Sequence, residues 1–397
     1  MIKEYIENNF NYPKEFIDYI FSYNRIISFS IKKRLNGKLK IFNGYRIQHN
    51  NDFGIYKGGF RLNEKVSIEE MKTLSFLMSV KNRIYDLPFG GAKGGIALNP
   101  KKVSKEDLRQ VIRDYILNLK NYIGENKDVL APDVGTDSKT MALIFEEYKN
   151  INNEISFAIT TGKSEYLGGL SYRKKSTGYS VAYFLDKFLK INNIKNPKIG
   201  IHGFGKVGKF TAYKLNELGY KISGISDSKG GIISDNLDIE KLINIKKEKG
   251  SVIYYPANKK VSSSEFLEED FDVLIIASFE NVINKENVNN IKAKILVEGA
   301  NFPISVDVED ILLNKGIKIL PDIIVNGGGV FISYFEWIKG KTYQEFSEEY
   351  LDTKLKSKID EIFNKVSLIS MKENLDFRKA AYKLALNKFL DRFYEIY

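Results

Sequence analysis

Ile199-Gly200-Ile201-His202-Gly203-Phe204-Gly205-Lys206-Val207-Gly208 is an apolar run that breaks into three glycines, one and then two residues apart. A helix-like segment follows as far as Gly219, and a second apolar run, Ile222 to Ile225, leads to Asp227. That order is the fingerprint of a strand, a tight turn and a helix that together hold a dinucleotide. The glycines permit the turn and let backbone amides approach a pyrophosphate at the helix N-terminus. A glycine turn without a ligand would show the same three residues, so the weight rests on the flanking strands and on the acid at the second strand's end. Asp227 is placed to accept hydrogen bonds from ribose hydroxyls, which favours NAD. Ser228 and Lys229 follow at once and could hold the 2'-phosphate of NADP. Either cofactor is therefore open, dual use included, with a tilt toward NADP.

Working outward, short apolar runs followed by helical segments recur at Val273 to Ala277, Ile295 to Val297 and Ile317 to Leu320. This rhythm predicts a doubly wound parallel sheet from about residue 170 onward. The first third mixes signals. Tyr45 and Ile47 alternate with Arg46 and Gln48, the pattern of a half-buried strand. Ser67 with Glu70 reads as a capping box for a helix with the stripe Met71, Leu74, Met78 and Tyr85, ending before Pro88. Ser104 with Asp107 opens a second helix, expected to run through Tyr122 with Gly124 as its cap. From about Glu345 to Tyr397 the chain reads as helices that return to the first domain. The fold class is α/β in two domains.

Composition narrows the chemistry. The 397 residues are 43% hydrophobic and 28% charged, an ordinary globular balance. Cysteine is absent, which removes disulfides, thiolate metal sites and cysteine nucleophiles and fits a reducing compartment, with the cytoplasm as default. The opening residues lack the apolar core of a secretory signal, and no uncharged run approaches the ~18 residues of a membrane span. The net charge of +11 comes from scattered lysines rather than a basic block interleaved with aromatics, so neither nucleic acid nor membrane is expected as a partner. With two histidines far apart, His49 and His202, neither a metal site nor histidine catalysis is expected.

Lysine is the remaining candidate. Lys57 precedes Gly58-Gly59, and Lys93 lies inside Gly90-Gly91-Ala92-Lys93-Gly94-Gly95, where the backbone could come close to a ligand. Lys81 falls on the stripe of Met71, Leu74 and Met78, an unusual place for a lysine. Solvated turns and a snorkelling stem would explain the same residues. If the three converge, two could hold the carboxylates of a small dianion and leave the third for chemistry. Ammonium groups about 7 Å apart at an effective dielectric near 20 repel by ~2.4 kcal/mol, which moves a lysine toward neutrality and general acid/base work. Asp133, after Val129-Leu130, reads either as a turn aspartate or as a proton carrier beside such a lysine.

These segments together resemble the glutamate, leucine, phenylalanine and valine dehydrogenase family, and within it the enzymes acting on glutamate. The resemblance is carried over nearly the whole chain by Gly44 to Asn50, Tyr56 to Arg61, Leu87 to Ile96, Ala131 to Thr136, Thr177-Gly178-Tyr179, the glycine fingerprint, Glu298 to Asn301, Asn326 to Val330 and Ser333 to Trp337. It implies that Lys93 is the catalytic lysine and Asp133 its partner in proton transfer. Lys81 would hold the substrate α-carboxylate, and Lys57 with Ser333 the distal carboxylate, a pair that argues for glutamate. Thr177, Gly203, Phe204, Gly205, Lys206, Val207, Gly208, Asp227, Ser228, Asn301 and Asn326 would bind the cofactor. The implied domains are 1–172, for substrate binding and oligomerisation, joined by the C-terminal helix 372–397, and 173–371 for the dinucleotide. A homohexamer is implied as well. A sister enzyme for apolar amino acids and a non-catalytic homologue are the alternatives.

Overall fold

The computed structural model describes residues 2–35, 37–235 and 237–397. Contacts divide the chain into two units, one comprising the chain up to Arg173 with Val330–Glu348 and Tyr382–Tyr397, the other Lys174–Gly329 with Glu349–Ala381. The grouping of Val330–Glu348 with the first unit differs from the expected domains. Its cause is aromatic packing, because Phe331 meets Tyr85 while Tyr334 and Trp337 both meet Phe89. The terminal return likewise begins at Tyr382 rather than 372.

In the first unit, helices α1 (Ile2–Asn9) and α2 (Lys14–Ile20) precede strands β1 (Arg25–Leu35), β2 (Lys38–Asn50) and β3 (Ile55–Leu62). Helix α3 (Ile68–Ile84) leads to β4 (Phe89–Ile96), α4 (Lys105–Leu119) to β5 (Asp128–Pro132), and α5 (Ser138–Asn152) follows. The sheet order is β1-β2-β4-β3-β5, with β3 parallel to both β4 and β5. Lys57 pairs with Gly91 and Val129, and Phe60 with Gly94 and Pro132. Since side chains alternate along a strand, Lys57, Gly59, Arg61, Lys93 and Asp133 share one face of the sheet.

Helix α3 covers part of that face, and a Cβ on Gly91 would lie 2.2 Å from Ser79 Oγ. On the other face a Cβ on Gly94 would lie 2.4 Å from the Tyr115 hydroxyl of α4. Gly91 and Gly94 thus serve helix packing, one on each side, where ligand approach was expected. The α4 face carries the core of Phe60, Leu62, Ile112, Tyr115, Ile116 and Ile144, each side chain contributing ~1.5–3 kcal/mol by burial.

Several local readings change. The β2 pattern is not half-buried, because Arg46 and Gln48 are as buried as Ile47. Both turn to Asp128, whose Oδ2 accepts from Arg46 Nε at 2.8 Å and Gln48 Nε2 at 2.9 Å. Ser67 caps α3 by accepting the Glu70 amide at 3.3 Å, but the box stays open because the Glu70 carboxylate pairs with Arg61. Helix α4 ends at Leu119, short of Tyr122; Gly124, at φ +155°, instead turns the chain into β5 by donating to the Asp128 carbonyl at 3.1 Å.

The second unit opens with α6 (Ser176–Ile191), β6 (Ile199–His202), α7 (Lys206–Glu217), β7 (Ile222–Asp227), β8 (Gly230–Ile233) and α8 (Ile239–Lys249). It continues through β9 (Lys259–Val261), α9 (Ser263–Leu267), β10 (Val273–Ile276), β11 (Ile295–Glu298), α10 (Glu309–Asn314), β12 (Lys318–Leu320) and α11 (Asp322–Val325). Helices α12 (Gly328–Thr342), α13 (Glu348–Glu373) and α14 (Phe377–Ile396) complete the chain. The sheet order is β12-β11-β10-β6-β7-β8-β9. The five expected runs form its parallel part; β8 and β9 add an antiparallel edge that was not expected. With β7 on one side of β6 and β10 on the other, the connections diverge at the carboxyl end of β6, where such sheets bind ligands. No helix among the described residues is long and apolar enough to cross a membrane.

Candidate active site

Lys93 and Asp133 meet on the shared face of the first sheet. Lys93 Nζ lies 2.9 Å from Asp133 Oδ2. Space for the pair is left by Gly59, where a Cβ would stand 2.9 Å from Asp133 Cβ and 3.0 Å from Lys93 Nζ. Asp133 is fixed by its turn, its amide donating to Thr136 Oγ1 at 2.7 Å while that hydroxyl donates to the Phe60 carbonyl at 2.9 Å. A second cation, Arg61 Nε, reaches the same carboxylate at 2.9 Å. Burial raises the Asp133 pKa, but Lys93 and Arg61 outweigh it and hold the carboxyl down at about 2. Asp133 is therefore a fixed anion that orients the amine. Arg61 carries no motif of its own in the sequence; its strand register, two residues beyond Gly59, is the signal that places it on this face.

Lys57 lies two residues back along the same face, about 7 Å by strand rise. It is 2% exposed, donates to Thr161 Oγ1 at 2.9 Å and sits 5.7 Å from the Phe89 ring. Burial first, then Arg173, Lys163 and Arg46, pull its pKa down to about 7 against the opposing Glu336. Lys57 is a depressed amine because it is desolvated among cations. Glu336 is fully buried, accepting from the Gly162 amide at 2.9 Å and from Lys163 Nζ at 3.4 Å. Ser333, one turn before Glu336 on α12, is buried and donates to the Val330 carbonyl at 2.7 Å. Thr161, Lys163, Arg173 and Glu336 were not singled out, since each is distant in sequence from the lysines it surrounds.

Lys81 does not lie on the buried side of α3. Leu74, Met78 and Lys81 form its half-exposed flank, while Phe76, Val80 and Ile84 face inward. The lysine therefore reaches solvent from a helix packed on the Lys93 face. Both histidines are structural. His49 bonds Ser79 and the Ile20 carbonyl, His202 bonds Ser278 and Ser263, and burial pushes each pKa down to about 4. Among the described residues no group of three or more His, Cys, Asp or Glu side chains is placed to hold a metal ion.

The second unit supplies the strand, glycine turn and helix on which a dinucleotide is ordinarily held. Gly203 has φ +100° and the amides of Gly203 and Phe204 donate to the Ser226 carbonyl at 3.1 and 2.8 Å, tying the turn to β7. Gly205 caps α7 without a side-chain bond and has open space where a Cβ would stand, so Lys206 and Val207 begin a helix with exposed amides. A Cβ at Gly208 would lie 2.0 Å from the Gly203 carbonyl oxygen. Each glycine thus has a separate reason, and the residues fit a bound pyrophosphate. Thr177 lies in the first turn of α6. Asn326 Nδ2 donates to Asn301 Oδ1 at 2.9 Å, which brings those two together beyond the end of β11.

Behind Asn301, a group absent from the sequence reading braces the loop. Arg378 donates to Glu298 at 2.7 Å, Glu309 at 2.8 Å and Asp322 at 3.2 Å. Burial pushes the Glu298 carboxyl up to about 8 against Arg378, with Asp322 and Glu309 adding to the rise. Asp227 differs most from expectation. Its carboxylate accepts from the amides of Lys229 and Val252, from Ser251 Oγ and from Lys246 Nζ, at 2.9 to 3.0 Å. Burial raises its pKa, but those four bonds bring it below the ordinary value.

A glycine turn at the divergence of a doubly wound sheet defines a dinucleotide-binding protein. The sequence matches the family model for Glutamate/Leucine/Phenylalanine/Valine dehydrogenase over residues 168–394, and that of the Glu/Leu/Phe/Val dehydrogenase dimerisation domain over 23–150. The chain belongs to the glutamate, leucine, phenylalanine and valine dehydrogenase family. It is similar to the NADP-specific glutamate dehydrogenase of Saccharolobus shibatae, at 42% identity over 372 residues, 92% of this chain and 88% of that protein. The NAD-specific glutamate dehydrogenase of Staphylococcus aureus is 37% identical over 368 residues, 92% and 89% of the two chains. Among solved structures, the hetero-hexameric glutamate dehydrogenase of Thermus thermophilus matches with a TM-score of 0.89 at 28% identity, covering 98% of this chain and 94% of that one.

Proposed function

We propose that this chain catalyses the NAD(P)-dependent oxidative deamination of L-glutamate to 2-oxoglutarate and ammonia, and the reverse reductive amination. The observation that carries this reading is the 2.9 Å contact of Lys93 with Asp133 on the sheet face that also holds the buried, depressed Lys57. The relatives named as glutamate dehydrogenases, NADP-specific in one case and NAD-specific in another, support the substrate and the cofactor class.

In this reading Lys57 and Ser333 hold the distal carboxylate and Lys81 the α-carboxylate. Three cations, Lys57, Lys163 and Arg173, surround one carboxylate, Glu336, so an arriving anion completes the charge of the pocket. The bound nicotinamide supplies the hydride acceptor or donor, and Thr177, Asn301 and Asn326 position it. Fixed cations contribute by orientation, since reacting atoms must come within about 3.5 Å. Lys93 takes a proton from the water that attacks the imine carbon and returns it to the departing nitrogen. Asp133 holds the Lys93 amine in place and stabilises its protonated form. An apolar-substrate sister enzyme is disfavoured by the ammonium of Lys57, which an apolar side chain would leave without a counter-charge.

The test is Lys93→Ala, followed by absorbance of the reduced cofactor with 2-oxoglutarate and ammonia, with 2-oxoisocaproate as comparator. Turnover should fall by about three orders of magnitude while cofactor binding persists; near-normal turnover, or preference for 2-oxoisocaproate in the parent, overturns the reading. The assembly in this reading is a homohexamer working in the cytoplasm, so light scattering should give six times the chain mass of 45.5 kDa.

A further inference from the structure

Arg378, in the first turn of α14, gathers carboxylates from three other elements. Its guanidinium donates to Glu298 at the end of β11, to Glu309 at the start of α10 and to Asp322 at the start of α11. All four side chains are buried, and among the described residues no second cation pairs with the acids. Were every carboxyl ionised, two negative charges would be left over where water is excluded, a costly arrangement. Glu298 bears the excess. Its Oε2 accepts from Arg378 at 2.7 Å and from the Asp322 amide at 2.9 Å, while its Oε1 is buried and accepts no hydrogen bond from the described residues. With that carboxyl at about 8, chiefly through burial, the cluster keeps one proton at neutral pH and one surplus negative charge instead of two.

What the cluster holds is the loop that carries Asn301. Asp322 Oδ2 accepts the Phe302 amide at 3.2 Å. Phe302 stands at φ +46°, in the left-handed region where a bulky side chain is strained, so the bend after Asn301 persists because it is held. Asp322 also opens α11, and its carbonyl accepts the Asn326 amide at 3.3 Å. Through this one aspartate Arg378 fixes the backbone beside Asn301 and the helix that ends at Asn326, whose side chains meet at 2.9 Å. An ionised Glu298 would set a further negative charge beside Asp322 and compete for the guanidinium. Of the three contacts Arg378 makes, the one to Asp322 is the longest, at 3.2 Å, and is the one to yield.

We propose that Arg378 and Glu298 are positioning residues for the cofactor, a proton-dependent brace that acts through Asp322 and Phe302 on Asn301 and Asn326, so that cofactor affinity falls when Glu298 gives up its proton. This rests on the reading of Asn301 and Asn326 as nicotinamide contacts and adds what sets their geometry. Linkage fixes the sign: the cofactor-bound form keeps the proton more tightly, so affinity is full below about 8 and declines as pH rises beyond it. The experiment is fluorescence titration of the full chain with NADPH and with NADH from about pH 6.5 to 9.5. In the parent, affinity for the tighter of the two should drop by about tenfold across that range, a coupling of ordinary size. Glu298→Gln should bind equally at both ends. Glu309→Gln leaves the clamp of Asp322 on Phe302 in place but removes a charge that raises Glu298, so it should move the step to lower pH; it keeps the test alive should Glu298→Gln fail to fold. Arg378→Lys keeps the charge but cannot reach three acids. It should weaken cofactor binding by about tenfold at neutral pH while 2-oxoglutarate KM at saturating cofactor stays within about twofold.

A parent affinity that is flat with pH, or a step that Glu298→Gln and Glu309→Gln both leave in place, overturns the proposal and leaves the dehydrogenase reading standing. An Arg378→Lys loss shared equally by cofactor affinity and 2-oxoglutarate KM would reduce the cluster to holding the fold and sinks the proposal as well. Failure of both reduced cofactors to bind the parent at any pH overturns the dehydrogenase reading too.

Discussion

Lys57 and Asp227 are both nearly buried ionisable groups on sheet strands, and their surroundings are opposites. Asp227 accepts four hydrogen bonds from its own chain and is held below its ordinary pKa. Lys57 donates one, to Thr161, and burial among other cations drags it to about 7. A buried charge satisfied by its neighbours contributes to the fold, because removing one partner leaves a desolvated group behind. One that its neighbours leave under-compensated destabilises the fold and gains from a ligand. By this contrast Lys57 is left under-compensated and Asp227 is satisfied by its own chain, although sequence position argued for a ligand at both.

The largest effect that could sharpen the contrast is at Lys57 itself. Lys57→Met should weaken apparent affinity for 2-oxoglutarate by about a hundredfold, as expected for a charge-assisted contact left unmade, and at the same time stabilise the fold by ~1–3 kcal/mol. Chemical denaturation together with KM measurement checks both signs; a destabilised variant would place Lys57 with Asp227. Next, Asp227→Ala should lower stability by about 2 kcal/mol, because four buried or half-buried donors lose their acceptor, and it should do so with 2-oxoglutarate KM unchanged.

The pH dependence follows from the same lysine. Below about 7 the free site is protonated and ready for a dianion; above it, binding requires proton uptake, and apparent affinity should fall by up to about tenfold per pH unit. Titration calorimetry in buffers of different ionisation heat should record that uptake. For stability the sign is reversed. The folded pKa near 7 lies below the ordinary lysine value of 10.5, so the unfolded chain binds the extra proton between them. The penalty from Lys57 is fully present below 7 and is relieved as pH climbs toward 10.5, a trend the methionine variant should lack. The smallest expected effect belongs to Gly59→Ala, whose new methyl crowds Lys93 and Asp133 and should lower turnover several-fold, about 1 kcal/mol in the barrier, with little change in KM.

Much of this was legible before any coordinates. The parallel strands announced themselves because Ile199 to Ile201, Val273 to Ile276 and their companions are buried on both faces and read as continuous apolar runs. Strands β8 and β9 did not, since Gly230-Gly231 and Lys259-Lys260 carry no apolar pattern. The four glycines of β4 suggested a ligand, but Gly91 and Gly94 face α3 and α4 while Gly90 and Gly95 crowd the backbone at Asn50 and Arg61, long-range facts that no local spacing encodes. Lys93 and Asp133 could be named but not placed; their meeting depends on the β3–β4–β5 register. The bonding of Asp227 was not legible, because an acid at a strand end looks the same in sequence whether its acceptor sites are vacant or engaged. Three of its four donors, Lys246, Ser251 and Val252, lie 19 to 25 residues further along the chain.

The two imidazoles have a practical consequence. With His49 and His202 buried, hydrogen-bonded at both ring nitrogens and pushed down to about 4, neither carries a proton near neutrality. A proton released or absorbed near neutrality on adding substrate therefore carries no histidine background, and an amine can be followed as if it were the indicator dye of its own pocket.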